Sequence, residues 1–454
     1  MSHLPQQRGD LDGRERGIGF AAFPLLGIVF QEIGMGNLDF QHRRRGLVVM
    51  PGGDLSNASS NARESECRKG RCRLPDGCPM APAPIRNLFH VARHLRCHPE
   101  IANPVRSNLE PSIDRHGAIR DEGHRRKLFL PPEPAPPPFA AIKRVLGGLF
   151  RFESNSRDLI DLVEAAYGGL PSQTLPGVAA EFRIELRLFP RRASPWATEP
   201  PAPRIRQEGR LFRADVDASN YVVIDPGCRR ARVVASEDML QHAYHLRCEL
   251  IEFAVFILAT RGIGLVPLHG ACVGRHGRGL LLLGGSGSGK STLALHGLLQ
   301  GLDLLAEDAV FVRPADLIAT GVPNYLHLKS DALDFVENDA IRGWVAHAPV
   351  IRRRSGIRKF EVDLRQEYGR PAANPLSLVG AVFVSAQFAD PPDALLTPLD
   401  AHEAGLLLEG DQSRASSQPG WRRFKREIMD RGIHQLRRGC HPRDSVDALC
   451  RLLD

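Results

Sequence analysis

Residues 279–305 read GLLLLGGSGSGKSTLALHGLLQGLDLL, and the order of residue types in this stretch decides the fold. Leu280 to Leu283 form a short all-apolar run, as expected of a strand buried on both faces. The run enters Gly284, Gly285, Ser286, Gly287, Ser288, Gly289, Lys290 and Ser291, which fit the phosphate-loop pattern G-x-x-x-x-G-K-[ST]. Glycines let successive backbone N–H groups turn inward around phosphate oxygens. Lys290 supplies a mobile positive charge to the outer phosphates, and the Ser291 hydroxyl suits Mg²⁺. Thr292 opens a helix expected over 292–299, whose positive end points at the anion and which Gly301 ends. Strand, loop, helix and stop in this order predict nucleotide binding, with ATP and Mg²⁺ as ligands.

Two neighbouring features narrow the class. Residues 304–306 form a second apolar stretch ending in Glu307 and Asp308, 17 and 18 positions after Lys290. An acidic pair there can hold the metal and accept a proton from an attacking hydroxyl. In a regular strand only one of the pair faces the phosphates, unless the strand has already ended. Upstream, 266–273, the turn 275–279 and the strand 280–283 read as a hairpin. This places His269 on the strand beside the phosphate-loop strand. The GTPase Asn-Lys-x-Asp and the transporter-ATPase Leu-Ser-Gly-Gly are absent.

Together these blocks resemble the C-terminal catalytic domain of HPr kinase/phosphorylase and its relatives. The resemblance rests on Leu268-His269-Gly270, on Gly284 to Ser291, and on Gly301 followed by Ala306-Glu307-Asp308, at the family's mutual spacing. It covers roughly 264–312. It implies an α/β fold with a P-loop core and mixed sheet, like phosphoenolpyruvate carboxykinase. It also implies transfer of the ATP γ-phosphoryl group to a serine hydroxyl. Asp308 then resembles the proton acceptor, Lys290 the phosphate-binding lysine, Ser291 the Mg²⁺ ligand and His269 the active-site histidine. Glu307 stands where the family usually has an aspartate and would share the metal with Asp308. The partners implied are a protein or peptide acceptor with a serine hydroxyl, an HPr-like carrier among them. A homo-oligomer is a further expectation. The family's downstream Glu-x-Arg-Gly-Leu-Gly segment is not visible after Val310, and its later arginine has no assigned counterpart. The basic run 352–359 (RRRSGIRK) could supply one; otherwise it reads as a solvated charge run. The alternatives are an NTPase that hydrolyses nucleotide as a switch, or a nucleotide-binding protein without catalysis. Divergent relatives could act on a peptide or a small hydroxyl compound.

Outward from this core, 139–234 reads as a small α/β cap, with a helix at 158–167 and strands at 182–189, 210–212 and 221–224. A helix is expected over 236–261, capped by Ser236 and stopped by Gly262. The catalytic domain is expected over 235–454. Within it, 378–385 reads as a buried strand, 412–420 as a polar loop, and 445–453 as a helix packing through Val446, Leu449 and Leu452.

Residues 1–138 lack sustained periodicity and read as a disordered extension, or as sequence upstream of the native start, closed by the proline run PPEPAPPP at 131–138. The chain's net charge is +8 over 454 residues. Most of that excess lies in this N-terminal third, so it is no argument for a nucleic-acid-binding surface. Clustered cations interleaved with stacking aromatics are missing too. Among the nine cysteines, Cys67, Cys72, Cys78 and Cys97 lie near His90, His94 and His98, at spacings that do not match a zinc knuckle. No apolar run reaches the roughly 20 residues of a spanning helix. The stretch 17–30 contains Pro24, follows Glu15 and has no small-residue cleavage pattern after it, so a cytoplasmic location is expected.

Overall fold

Alternation of apolar and polar residues builds the first sheet. In Glu181–Phe189, Phe182, Ile184 and Leu186 point inward and are buried, while the intervening charges face out. This strand, β3, is flanked in sequence by β1 (Phe139–Val145), β2 (Gly148–Ser154), β4 (Arg204–Glu208), β5 (Leu211–Asp215), β6 (Tyr221–Asp225) and β7 (Arg230–Ser236). The seven pair in the order β1-β2-β3-β7-β6-β5-β4. The β2–β3 and β3–β7 pairs are parallel and the others antiparallel. Helix α1 (Arg157–Tyr167) covers the sheet through Leu159, Ile160, Val163, Ala166 and Tyr167.

The computed structural model describes residues 137–191, 196, 198–389 and 395–454. The cysteine and histidine cluster at 67–98 and almost all of the extension and proline run lie outside the described residues. The described chain is mixed α/β, with two mixed sheets and a small antiparallel one. Among its residues, no helix is long and apolar enough to cross a membrane; strand-built spans are a separate matter.

The helix expected over 236–261 is a broken path. Two single turns, Glu237–Leu240 and Ala243–Leu246, lead into a π-helical turn, Arg247–Glu252, and then α2 (Phe253–Ile263). Every residue from Phe253 to Thr260 is buried, so the helix is apolar on all faces and the sequence periodicity could not fix its register. Gly262 is not the stop. The left-handed cap is Gly264, at φ +82°, while a side chain at Gly262 would meet the Phe182 ring.

The second sheet holds nine strands. These are β8 (Val266–His269), β9 (Ala271–Arg275), β10 (Arg278–Leu283), β11 (Asp303–Ala306), β12 (Ala309–Arg313), β13 (Ile318–Thr320), β17 (Leu376–Phe388), β18 (Leu396–Pro398) and β19 (Ile433–Arg438). Between β13 and β17, the strands β14 (Tyr325–Leu328), β15 (Val350–Arg352) and β16 (Arg358–Asp363) form the third sheet. Strand β10 lies between β9 and β17 and parallel to β17. Its Leu281 and Leu283 pack into one core and Leu280 and Leu282 into another, as its apolar run requires. The helix after the loop, α3 (Lys290–Leu299), and the terminal helix α4 (Pro442–Leu453) fill the second of these cores. The terminal helix packs through Val446, Leu449 and half-buried Leu452 as expected, and buries Leu453 as well.

One pair of strands bends together. Strand β8 continues into β9 through Gly270, and β11 continues into β12 through Glu307 and Asp308. Ala306 pairs with Cys272 on one side of the bend, and Ala309 with His269 on the other. The Gly270 amide donates to the Asp308 carbonyl at 3.2 Å. Only glycine fits there, because a Cβ would lie 2.6 Å from the Leu282 carbonyl oxygen. The expected continuous strand 266–273 is thus divided. His269 belongs to β8, beside β12, rather than to the strand beside the phosphate loop.

Candidate functional site

The loop between β10 and α3 has the backbone of an anion cradle. Gly284, Gly287 and Gly289 adopt φ of +124°, +81° and +105°. At Gly284 a Cβ would also come within 2.6 Å of the Val384 carbonyl, whereas at Gly285 nothing lies within 4 Å. The amides of Ser286, Gly287 and Gly289 meet no backbone acceptor, and the Ser288 hydroxyl is buried without a partner. The side chain of Lys290, only 7% exposed as a residue, turns back to the Gly284 and Gly285 carbonyls. Burial lowers its pKa, partly offset by the charges of Asp411, Asp308 and Glu307. Amides without a backbone acceptor, with a buried cation beside them, fit a polyphosphate. The cleft above them, about 110 Å³ in volume, is lined by Ser286, Lys290, Ser291, Thr292 and Asp308 among others.

Strand β11 ends at Ala306, so Glu307 and Asp308 are released from alternation: Asp308 lines the cleft and Glu307 reaches Ser291. Ser291 Oγ donates to Glu307 Oε1 at 2.5 Å. The other Glu307 oxygen lies 3.1 Å from His327 Nδ1, and His327 Nε2 lies 3.3 Å from Glu361. His327 and Glu361 face each other directly across β14 and β16. Arg247, from the π-helical turn, closes the chain by donating to Glu361. One ligand atom each from Glu307, Asp308 and His327 lie within 4.8 Å of one another. Two carboxylates at this spacing could hold a hard divalent cation such as Mg²⁺, and Ser291 Oγ, bonded to Glu307, is the hydroxyl that could join them.

Asp308 is gripped from two directions. Arg353 Nη2 donates to its Oδ2 at 3.1 Å. His269 Nδ1 lies 3.2 Å from its backbone carbonyl, which requires the proton on Nδ1. Burial alone would push the Asp308 carboxyl up, but Arg353, Lys359 and the nearby histidines hold it well below the usual range. Glu307 also sits below its ordinary value. Burial and the Asp308 charge push it up, and the His327 hydrogen bond and Lys359 outweigh them. His269 does not line the cleft. It is fixed by Gln412, whose side-chain amide pairs with both its backbone N–H and its carbonyl, at 2.9 and 2.7 Å. Burial and the Lys290 charge lower its pKa, which favours the neutral ring. Asp411 accepts from the Gly284 amide at 3.3 Å and ties the same corner to the phosphate loop.

The basic run divides by role. Arg353 is buried against Asp308, and Arg354 makes a two-pronged pair with buried Glu249, 2.7 Å for each contact. Only Arg352 and Arg358 are solvated. The residues that sequence reasoning named in contiguous stretches, the loop, Lys290, Ser291, Glu307 and Asp308, lie together in the structure. Sequence reasoning missed His327, Glu361, Arg247, Asp411 and Gln412. The available signal was a polar residue interrupting the apolar pattern of a short strand, as in 325–328 and 358–363. No protein-family model matches the chain, and no curated protein matches it either.

Proposed function

We propose that the chain is an ATP- and Mg²⁺-dependent kinase that transfers the γ-phosphoryl group to a hydroxyl of the serine type. The reading follows the resemblance to HPr kinase/phosphorylase and the P-loop core with mixed sheet seen in phosphoenolpyruvate carboxykinase. One observation carries it. Ser291, Glu307 and Asp308 converge beside the buried Lys290, and Arg353 is already in contact with Asp308. Bound Mg²⁺ would neutralise phosphate oxygens and fix their orientation. The loop amides and Lys290 hold the phosphates. Ionised Asp308 accepts a hydrogen bond from the acceptor hydroxyl and aims its oxygen at the γ-phosphorus. Arg353 supplies a second positive charge next to the transferred group. Catalysis of this kind is positioning and electrostatics.

The test is incubation of the protein with γ-labelled ATP, Mg²⁺ and a cell extract. Label on a protein or a metabolite supports the kinase. Label released only as free phosphate marks a hydrolysing NTPase, and retention of all label on ATP marks a binding protein. Either of the last two results overturns the proposal.

A further inference from the structure

A second cavity, about 80 Å³ in volume, abuts the phosphate cleft. The two share Asp308, His327 and Arg353, and no phosphate-loop residue reaches the second cavity. Their charges contrast. The phosphate cleft gathers Lys290, Lys329, Lys359 and Arg438, whereas the second cavity adds Glu252 and Glu307 to the shared residues and no further cation. Its wall includes Cys248 and Glu252 from the π-helical turn, an irregularity common at functional sites. The Glu252 side chain is 11% exposed, and its cation is Arg247 Nε at 3.5 Å. That guanidinium is already committed through Nη2 to Glu361, and its Nε makes no hydrogen bond. Burial raises the Glu252 pKa, the mark of a carboxylate short of positive charge. Tyr244 and Phe256 add aromatic surface.

Resting on the kinase reading above, we infer that this cavity is the acceptor subsite and that it takes a small alcohol carrying a protonated amine. The hydroxyl lies toward Asp308 and the ammonium toward Glu252. In the transfer, the alcohol oxygen forms a bond to the γ-phosphorus, and the bond from that phosphorus to the β–γ bridging oxygen breaks. The electron pair leaves with ADP, and the hydroxyl proton passes to Asp308 and then to water. A buried carboxylate facing an ammonium, with aromatic surface nearby, discriminates against neutral alcohols of the same size.

The experiment uses the full chain with Mg²⁺ and labelled ATP, offering ethanolamine, ethylene glycol or a seryl peptide as acceptor. Thermal unfolding with each acceptor alone gives a readout independent of turnover. The expected result is labelled phosphoethanolamine, formed with kcat/KM at least tenfold above that for ethylene glycol. Glu252→Gln should erase the preference through KM, and Glu252→Asp should restore part of it. Ethanolamine should raise the melting midpoint of the native protein and of the Asp variant, but not of the Gln variant. Preferential labelling of the glycol or the peptide overturns the acceptor assignment while leaving the kinase reading intact. An equal midpoint shift in Glu252→Gln also overturns it, as does no shift in any form. A Glu252-dependent midpoint shift without transfer to any acceptor keeps the amine site and overturns the kinase reading.

Discussion

At the scale of the residue, Asp308 is held by a cation and, on the proposed kinase reading, must still serve an incoming hydroxyl. With Arg353 beside it the carboxylate is ionised at neutral pH, so it is a weak proton acceptor and its main contribution is alignment. Asp308→Asn removes the acceptor of the hydroxyl proton and leaves the loop untouched. Transfer should fall by about 10²–10⁴-fold, the range for a positioned acid–base group. ATP binding measured by calorimetry should persist. Lys290→Ala should do the reverse at the first step, weakening ATP binding itself, because it empties a buried cation from the cradle. Wild-type transfer by Asp308→Asn would remove Asp308 from the reaction. These two residues were legible because they stand 18 positions apart in one contiguous strand-loop-helix-strand pattern. Gln412 touches His269 from 143 positions away, and His327 meets Glu361 only through cross-strand register. No local pattern encodes either meeting.

At the scale of the element, the phosphate loop and the broken helix behave differently. Gly284 has a left-handed φ and a backbone oxygen where a Cβ would go, while Gly285 has neither constraint. Gly284→Ala should cost about 1–3 kcal/mol, as residues forced into such conformations do, and should abolish ATP binding. Gly285→Ala should leave the urea midpoint within error. Loop geometry followed from the sequence because glycine spacing and phosphate chemistry dictate each other. The break in the helix after β7 did not, since Arg247, Glu249 and Glu252 read as the exposed face of a regular helix, whereas the fold buries all three. Its π-helical turn sends Arg247 to Glu361, Glu249 to Arg354 and Glu252 to the second cavity. Glu249 is buried, and Arg354 and His245 hold its pKa down against the burial that would raise it. A depressed carboxylate binds fewer protons folded than unfolded. Its stabilisation is therefore complete above the ordinary glutamate range and fades as pH falls through the lower folded value. Glu249→Gln should destabilise the protein by about 3–5 kcal/mol at pH 7, the cost of breaking a buried pair. Urea titrations should also show a smaller loss of stability below roughly pH 4.5 than in the native protein.

At the scale of the whole molecule, the packing of α3 against α4 sets buried His296 against half-buried His441 at the start of α4. His296 and His441 meet edge to face with ring centroids 5.2 Å apart, and His296 Nε2 is buried without a partner. Burial, with the charges of His441 and Arg443, pushes His296 down to about 4. A base whose folded pKa is depressed is neutral in the fold while the unfolded chain takes up a proton. Stability contributed this way is present above roughly pH 6.5 and declines as pH falls toward the folded value. After discounting for solvent screening, the decline should be about 1–2 kcal/mol. His296→Leu should flatten melting curves recorded between pH 7 and 4; an unchanged slope would show that this histidine is not the sensor.

The two abutting cavities also have a consequence for the order of events. On the kinase proposal, the two cavities share only Asp308, His327 and Arg353, so a bound nucleotide leaves the other walls of the acceptor cavity uncovered. Arrival should therefore be random, with intersecting initial-rate lines and a dead-end inhibitor of either reactant acting competitively only against its own kind.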